Sequence, residues 1–486
     1  MAALPATITR IDTAVGDHIA AGVRRHHSRR LRRLGSNALD PPAGGWADGN
    51  GVAPPRDGTR LEVLVDGEVA LKSMVEEVRS AVSHVHVTAW FLSPDFVMAE
   101  DGDRPVVVRD LLAEAARRVD VRVLLWAGAP IPVFTPSRRA VRAVRDELRA
   151  AGPIRCALDT RERPLHCHHE KTVVADDRAA FVGGIDWTSL AGDRRDSQHH
   201  PPRAALGWHD AAVRIGGPLV ADVADHFAMR WAAVTGERLA PAAALDPAGD
   251  GVTAQFVRTC PEHVYPALRD GSFGVLESYV RALRSAERLI YLESQYLWSA
   301  EIVAVLADKL RRPPDERFRL VIVLPSHPKG GGDDTRGALG ELIAADRGAG
   351  RVLSCCLFAR GAGGADPVYV HAKVGIVDDR WLTVGSANLN DHSFFNDTEA
   401  NVVTHDPELA RRTRLELWAE HLERPVGDLE GDPADVVDQI MRPAAEEQLE
   451  RRRRGRPLTG RLMRLDHVSR RSDRLLGPLQ GLVVDG

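Results

Sequence analysis

Residues 165–184 read LHCHHEKTVVADDRAAFVGG, and residues 369–388 read YVHAKVGIVDDRWLTVGSAN. Laid over one another, His371 falls on His169, Lys373 on Lys171, Asp378 on Asp176 and Gly385 on Gly183, each pair 202 positions apart. A pattern that returns complete at long range is an internal repeat, and a repeat sets the architecture before any local reading does. The overlay also sorts the crowded histidines. Of His166, His168 and His169, only His169 has a counterpart in the second copy. That weakens a metal reading of the cluster, leaves His166 and His168 as solvated loop or rim residues, and makes Cys167 a bystander.

The flanks of the two stretches repeat as well. LEVLVDG at 61–67 and VHVTAWFL at 85–92 have strand character, and VALKSMVEEVRSAVSH at 69–84 places apolar residues at helical spacing. A helix at about 106–119, a strand VRVLLWAG at 121–128 and a charged helix at 137–152 lead into the first stretch. In the second copy LESYVRALRSA resembles LKSMVEEVRSA at 71–81, and FRLVIVLPSHP at 318–328 echoes VRVLLWAGAP. Strands alternating with helices predict an α/β fold. The expected divisions are a basic, Pro/Gly-rich extension at 1–58, a first half at 59–236, a linker at 237–251, a second half at 252–425 and a basic tail at 426–486. Within the extension, 41–58 reads as a flexible linker.

Side chains alternate along a strand, so His169 and Lys171 share a face, as do His371 and Lys373. An imidazole beside an ammonium, built twice, suits a phosphate. The lysines neutralise its oxygens, one histidine attacks phosphorus, and the other protonates the leaving oxygen. Near neutral pH a charged and a neutral imidazole coexist, because the ordinary value is about 6.5. The lysines supply the positive charge, so no metal or other cofactor is called for. Gly183-Gly184 and Gly385-Ser386 allow close backbone approach at a strand end. Asn388 stands at the offset that Asp186 occupies in the first copy, and it can donate to a phosphate oxygen where an ionised Asp186 cannot.

This arrangement resembles the phospholipase D superfamily, whose signature H-x-K-x4-D-x6-G-(G/S) is met in full by HEKTVVADDRAAFVGG and HAKVGIVDDRWLTVGS. WHDAAVRIGGPLVADVADHFAMRW at 208–231, IYLESQYLWS at 290–299 and GSANLNDHSFFNDTEAN at 385–401 are similar to further stretches of its phospholipid-cleaving members. The resemblance implies two tandem α/β/α sandwich halves related by a pseudo-twofold, with one active site at their interface. It implies a catalytic set of His169, Lys171, Asp176, His371, Lys373 and Asp378. His169 would be the nucleophile that forms a phosphohistidine and His371 the general acid. Lys171, Lys373 and Asn388 would hold the phosphate. Asp176 and Asp378, at the turn end of each motif, are expected to support structure more than chemistry. A downstream carboxylate is expected on each histidine's second nitrogen, with Asp210 and Glu399 the best-placed candidates. The first half carries an extra segment, 191–207, that complicates the placement of Asp210. Trp208 and Tyr296 fit core packing and substrate-channel lining equally well.

Bulk properties bound the function. The chain has 486 residues, 44% hydrophobic and 27% charged, with a formal charge of −4. It is long enough for two cores, and its surface as a whole is no nucleic-acid magnet. Five cysteines without zinc-like spacing read as reduced thiols. No window approaches a spanning helix and the N-terminus is a poor secretion signal, so a cytoplasmic, at most peripheral, monomer is expected. RRHHSRRLRR at 24–33 and ERRRRGRPLTGRLMRL at 450–465 are solvated tails or attract anionic lipid, and LTGRLMRLDHVSRRSDRLLGPLQGLV at 458–483 fits a basic amphipathic helix lying on a membrane. The leading function is phospholipid hydrolysis or head-group exchange giving phosphatidate. The alternatives are a cardiolipin-synthase-like phosphatidyl transfer, a nuclease of the same superfamily, and a lipid-binding scaffold without activity.

Overall fold

The computed structural model describes residues 6–465, apart from 103, 132–133, 165, 191, 203–204, 328–331 and 362–363. Fourteen strands carry the site. The first set is β1 (Arg56–Val65), β2 (His84–Ala89), β3 (Asp120–Trp126), β4 (Arg155–Asp159), β5 (Lys171–Ala175), β6 (Ala179–Gly183) and β7 (Ala211–Gly216). The second is β8 (Val252–Cys260), β9 (Leu289–Glu293), β10 (Arg319–Val323), β11 (Val352–Gly361), β12 (Val374–Val377), β13 (Trp381–Gly385) and β14 (Glu399–Thr404).

The first set pairs in the order β1-β7-β6-β5-β2-β3-β4. The second pairs as β8-β14-β13-β12-β9-β10-β11. Order and sense are the same in both: β2-β3-β4 and β9-β10-β11 run parallel, and every other pair is antiparallel. β1 also pairs with β8, so the two sets join edge to edge.

The parallel strands read as continuous apolar runs because both faces are covered. Helices α1 (Gly67–Ser80), α2 (Val108–Ala116) and α3 (Arg138–Ala151) bury Leu71, Leu112, Val141 and Leu148 against Val87, Val123 and Val173. After α4 (Leu219–Thr235), helices α5 (Gly274–Ser285), α6 (Ala300–Arg311) and α7 (Gly332–Asp346) give the second set the equivalent cover through Leu276, Leu283, Leu306 and Leu342. The remaining core is shared. Val174 and Val182 lie in one cluster with Val374 and Val384, together with Leu219 and Val223 of α4 and Leu409 and Trp418 of α8 (Pro407–Leu422). Full burial of each such side chain is worth about 1.5–3 kcal/mol, so strands of both sets are bound into one apolar interior. Helix α8 starts at an Asp406 cap that accepts the Leu409 N–H at 2.7 Å, with proline as its first residue.

Several local expectations are corrected. His169 and Glu170 lie just before β5, with Lys171 as its first residue, and His371–Lys373 lie just before β12, because the N–H groups of His169, Glu170, His371 and Ala372 are drawn to a different partner, described below. The stretch 41–58 is not a flexible linker but is pinned along α5 and β8. Ala47 and Gln255 exchange bonds at 3.2 and 2.8 Å, and Asp48 and Gly49 donate to Glu277 at 3.1 and 3.0 Å. RRHHSRRLRR lies in a helix, Ala6–Arg33, whose inner side is tied down by His27–Glu301 at 2.7 Å and Arg30–Glu262 at 2.6 Å. The basic C-terminal stretch is not one amphipathic helix. A helix Arg442–Arg453 is followed by a strand, Leu462–Arg464, paired antiparallel to β11, and 466–486 lies outside the described residues. All five cysteines are free and buried.

The two motif aspartates do the same structural task. Asp176 accepts the backbone N–H groups of Val82, Ser83 and His84 at 2.8–3.0 Å. Asp378 accepts those of Glu287, Arg288 and Leu289 at 2.7–2.8 Å. Each carboxylate therefore ties the turn after β5 or β12 to the start of the neighbouring β2 or β9. These bonds hold Asp176 below the usual carboxylate range, against a desolvation that pushes the other way. Asp176→Ala and Asp378→Ala are each expected to lose about 2 kcal/mol in denaturant unfolding. A group with a depressed native pKa stabilises above its unfolded value, near 3.9, and loses that contribution as pH falls. The acid limb of the wild-type stability curve should therefore flatten in Asp176→Ala, and equal slopes would contradict the assignment.

Candidate active site

The site is built on a backbone exchange between the two strand sets. The N–H groups of His169 and Glu170 both donate to the carbonyl of Thr398, at 2.9 and 3.0 Å. Those of His371 and Ala372 donate to the carbonyl of His209, at 2.8 and 3.1 Å. Thr398 and His209 each precede a carboxylate, Glu399 and Asp210. Each motif histidine is thereby set beside a carboxylate from the other strand set. His169 Nδ1 lies 3.0 Å from Glu399 Oε1, and His371 Nδ1 lies 2.7 Å from Asp210 Oδ2.

The chemical consequence is direct. A carboxylate on Nδ1 fixes the tautomer with its proton on Nδ1 and makes Nε2 the nitrogen that can accept a proton or bond to phosphorus. Glu399 is completely buried and further held by the hydroxyls of Ser386 and Ser393, the latter at 2.6 Å. Lys171 and Lys373 each donate to the carbonyl of the histidine two residues earlier. Each lysine thus shares a face with its own histidine, as alternation requires. Glu170, between His169 and Lys171, points to the opposite face, where Arg230 and His226 hold it.

Lys171 pairs with Asp186 at 3.4 Å. Asn388, at the equivalent offset, is fully buried and donates to Gln295 at 3.3 Å. His169 is 3% exposed, His371 and Lys171 5% each, and Lys373 is fully buried, so the four motif side chains are largely withdrawn from water.

The charge balance is tuned by burial. Burial, then Lys373, Arg194, Lys171 and His169, hold the His371 imidazole well below its ordinary value. Burial, reinforced by Lys171, brings the Lys373 ammonium down to about 7 against the pull of Asp210. Burial likewise raises the Asp210 carboxyl to about 6, opposed by Lys373. The site is crowded with positive charge, and an anion is what would relieve it.

Two residues escaped the sequence reading. Arg194 lies in the extra segment 191–207 with its guanidinium 3.1 Å from the centre of the Trp208 ring. Trp208 in turn packs on the His371 ring at 4.5 Å, so it braces the site rather than merely filling core. Nothing in the local sequence of 191–207 signals this, because the segment has no counterpart in the second copy. Gln295 was also missed. It links Asn388 to the hydroxyls of Tyr296 and Tyr369, at 3.1 and 3.0 Å.

The rim reading of the other two histidines needs correction. His168 is 1% exposed and lies between Asp159, at 3.2 Å, and the Thr398 hydroxyl, at 2.8 Å. His166 is partly buried, with its Nδ1 2.9 Å from that of His392. Asp176 and Asp378 are not with the histidines. They sit at the far ends of β5 and β12.

The chain is similar to several known proteins. A family model described as cardiolipin synthase, PLD-like domain, matches residues 279–420. Phospholipase D A of Dictyostelium discoideum is 26% identical over 464 aligned residues, covering 76% of this chain. Cardiolipin synthase B of Salmonella typhi is 26% identical over 373, covering 72% of this chain and 78% of its own. The chain spans 36% of the Dictyostelium protein and 50% of the similar bovine phospholipase D2. Among solved structures, the phosphatidylserine synthase of Haemophilus influenzae shares the fold, with a TM-score of 0.54 at 14% identity, over 87% of this chain and 97% of the other.

The depressed His371 value has a direct readout. In histidine-labelled protein without ligand, the His371 ring should keep the nitrogen shifts of a neutral Nδ1–H imidazole through about pH 6, where an ordinary imidazole is more than half protonated. Titration with an ordinary midpoint would contradict the burial argument.

Proposed function

Because the chain belongs to the phospholipase D superfamily, we propose that it cleaves the distal phosphate ester of a glycerophospholipid through a phosphohistidine. The observation that carries the reading is the crossed pairing of His169 with Glu399 and His371 with Asp210.

In this mechanism Nε2 of His169 attacks phosphorus and forms a P–N bond as the ester bond to the head group breaks. Nε2 of His371 gives its proton to the departing alkoxide. A water then gives its proton back to His371 and attacks phosphorus. The P–N bond breaks, and phosphatidate leaves. Lys171 and Lys373 neutralise the phosphoryl oxygens, and Asn388 is positioned to donate a further hydrogen bond. The phosphodiester brings negative charge to this cluster of lysines and histidines. Its charge raises the affinity of His371 and Lys373 for protons, so the general acid becomes charged when substrate arrives.

An alcohol in place of water gives phosphatidyl transfer. The match to a cardiolipin synthase model, and to Salmonella cardiolipin synthase B over most of that protein's length, favours weighing this second outcome. The outer side of the helix Ala6–Arg33 exposes Arg24, Arg25, Arg29, Arg32 and Arg33. We assign this basic face to contact with anionic lipid, at about 1 kcal/mol per residue near such a surface. Among the described residues no helix is long and apolar enough to cross a membrane.

Vesicles of phosphatidylcholine, phosphatidylethanolamine or phosphatidylglycerol, with and without ethanol or glycerol, test the reading without added divalent cations. Phosphatidate, or phosphatidylethanol when ethanol is present, should form with wild type and vanish with His169→Ala. Cleavage of DNA but of no lipid would replace the substrate class. The general-acid role has its own check. His371→Ala should lose roughly 10²–10⁴-fold on an alkyl head group. Much of that loss should be recovered on a p-nitrophenyl phosphodiester, whose leaving group needs no proton. An equal loss on both would remove His371 from that role.

A further inference from the structure

Beside the candidate active site lies a second cluster that the proposed reaction does not use. It brings together Asp66, just after β1, His200, in the extra segment, His209, at the end of the strand Gly207–His209, and Glu420, in α8. His200 Nε2 is 3.0 Å from Asp66 Oδ2 and 3.0 Å from Glu420 Oε1. His209 Nδ1 is 3.0 Å from Asp66 Oδ1 and 3.3 Å from Glu420 Oε1. Four ligand atoms held tetrahedrally around Zn²⁺ at 2.0–2.2 Å are about 3.3 Å from one another. The four side chains are between 0% and 4% exposed.

Two further observations point to a ligand rather than to a chain of hydrogen bonds. His209 Nδ1 and Asp66 Oδ2 are buried and lack a well-directed hydrogen bond, although each has an oppositely polar atom at 3.0 Å. Their separation is right for a bond and their direction is not, as expected for atoms aimed at a common centre. The other nitrogen of each histidine rests on a separate buried carboxylate. His200 Nδ1 meets Asp196 at 3.1 Å, and His209 Nε2 meets Glu293 at 2.8 Å. Outer carboxylates of this kind fix which ring nitrogen faces a metal.

We propose that Asp66, His200, His209 and Glu420 form a closed, four-coordinate site for a divalent cation of the zinc class. All four positions are filled by protein, so the cation is a clamp and not a reagent. It fastens the extra segment, β1 and α8 to His209. The carbonyl of His209 takes the N–H groups of His371 and Ala372, and the next residue, Asp210, holds the His371 ring. The clamp therefore positions the second histidine without touching substrate. It also gives the segment 191–207 a purpose, since that segment supplies His200 and Asp196.

The alternative occupant is protons alone. The carboxylates would then be balanced by charged imidazoles and by Arg461, 3.6 Å from Glu420. Tag-free full chain, purified without chelator, distinguishes the two by metal analysis and by Co²⁺ titration of metal-stripped protein. One zinc per chain, tetrahedral Co²⁺ absorption bands and a rise in melting temperature on adding Zn²⁺ are expected. His200→Ala should abolish the bands. Asp196→Asn, which leaves the four ligands in place, should keep them with at least about tenfold weaker affinity. Wild type that holds no stoichiometric metal and gives no bands would overturn the proposal, whether or not His200→Ala folds. So would bands that survive unchanged in both variants. None of these readouts depends on lipid cleavage, so failure of the clamp and failure of the proposed reaction are told apart.

Discussion

His169 is held by Glu399 and His371 by Asp210, and in each case the carboxylate comes from the strand set that does not carry the histidine. This crossing is the constraint on which the rest of the structure turns. It requires the two sets to meet in one register, and the backbone supplies that register through the bonds to Thr398 and His209. The shared core of Val174, Val182, Val374 and Val384 lies behind it, so loss of apolar packing between the sets would separate both histidines from their carboxylates together. Neither pair can form within one set alone, which ties the chemistry to the long-range fold and not to a local motif.

The same crossing decides the electrostatics. A site that buries two lysines, an arginine and two imidazoles among three carboxylates is poorly served by water. Burial lowers the ammonium of Lys373 and the imidazole of His371 and raises the carboxyl of Asp210, so each is pushed towards neutrality. A phosphodiester reverses that pressure. In the proposed reaction binding and activation are therefore one event: the anion taken up by the site would charge the histidine that acts as acid.

Much of this was legible in the sequence, for identifiable reasons. Period-2 and helical patterning located most elements of both sets, because the strands are short and the helices amphipathic or buried. The motif spacing singled out His169, Lys171, His371 and Lys373, since alternation puts residues two apart on one face. Asp210 and Glu399 were found as candidates, but their crossing was not readable, because spacing along a chain carries no information about which carboxylate folds back on which histidine. His168 was misread as a rim residue for the same reason: its partner Asp159 comes from another strand. The stretch 41–58 looked flexible by composition, yet its backbone polar groups are satisfied by Gln255 and Glu277, more than two hundred residues away. Arg194 and the buried cluster around His200 were invisible, because they draw on a segment with no repeat to reveal it and on residues from three distant places.

The central claim is that one named histidine forms the covalent bond while the other manages protons. Its most direct test is to capture the intermediate. His371→Ala protein, lacking the group that activates water, would be mixed with a short-chain phosphatidyl-p-nitrophenol, whose leaving group needs no proton, quenched in alkaline denaturant, digested and mapped by mass spectrometry. The account predicts a phosphatidyl adduct on the peptide containing His169, at Nε2, and none when His169→Ala is added to the same protein. An adduct on any other residue, or turnover without one on His169, would contradict it.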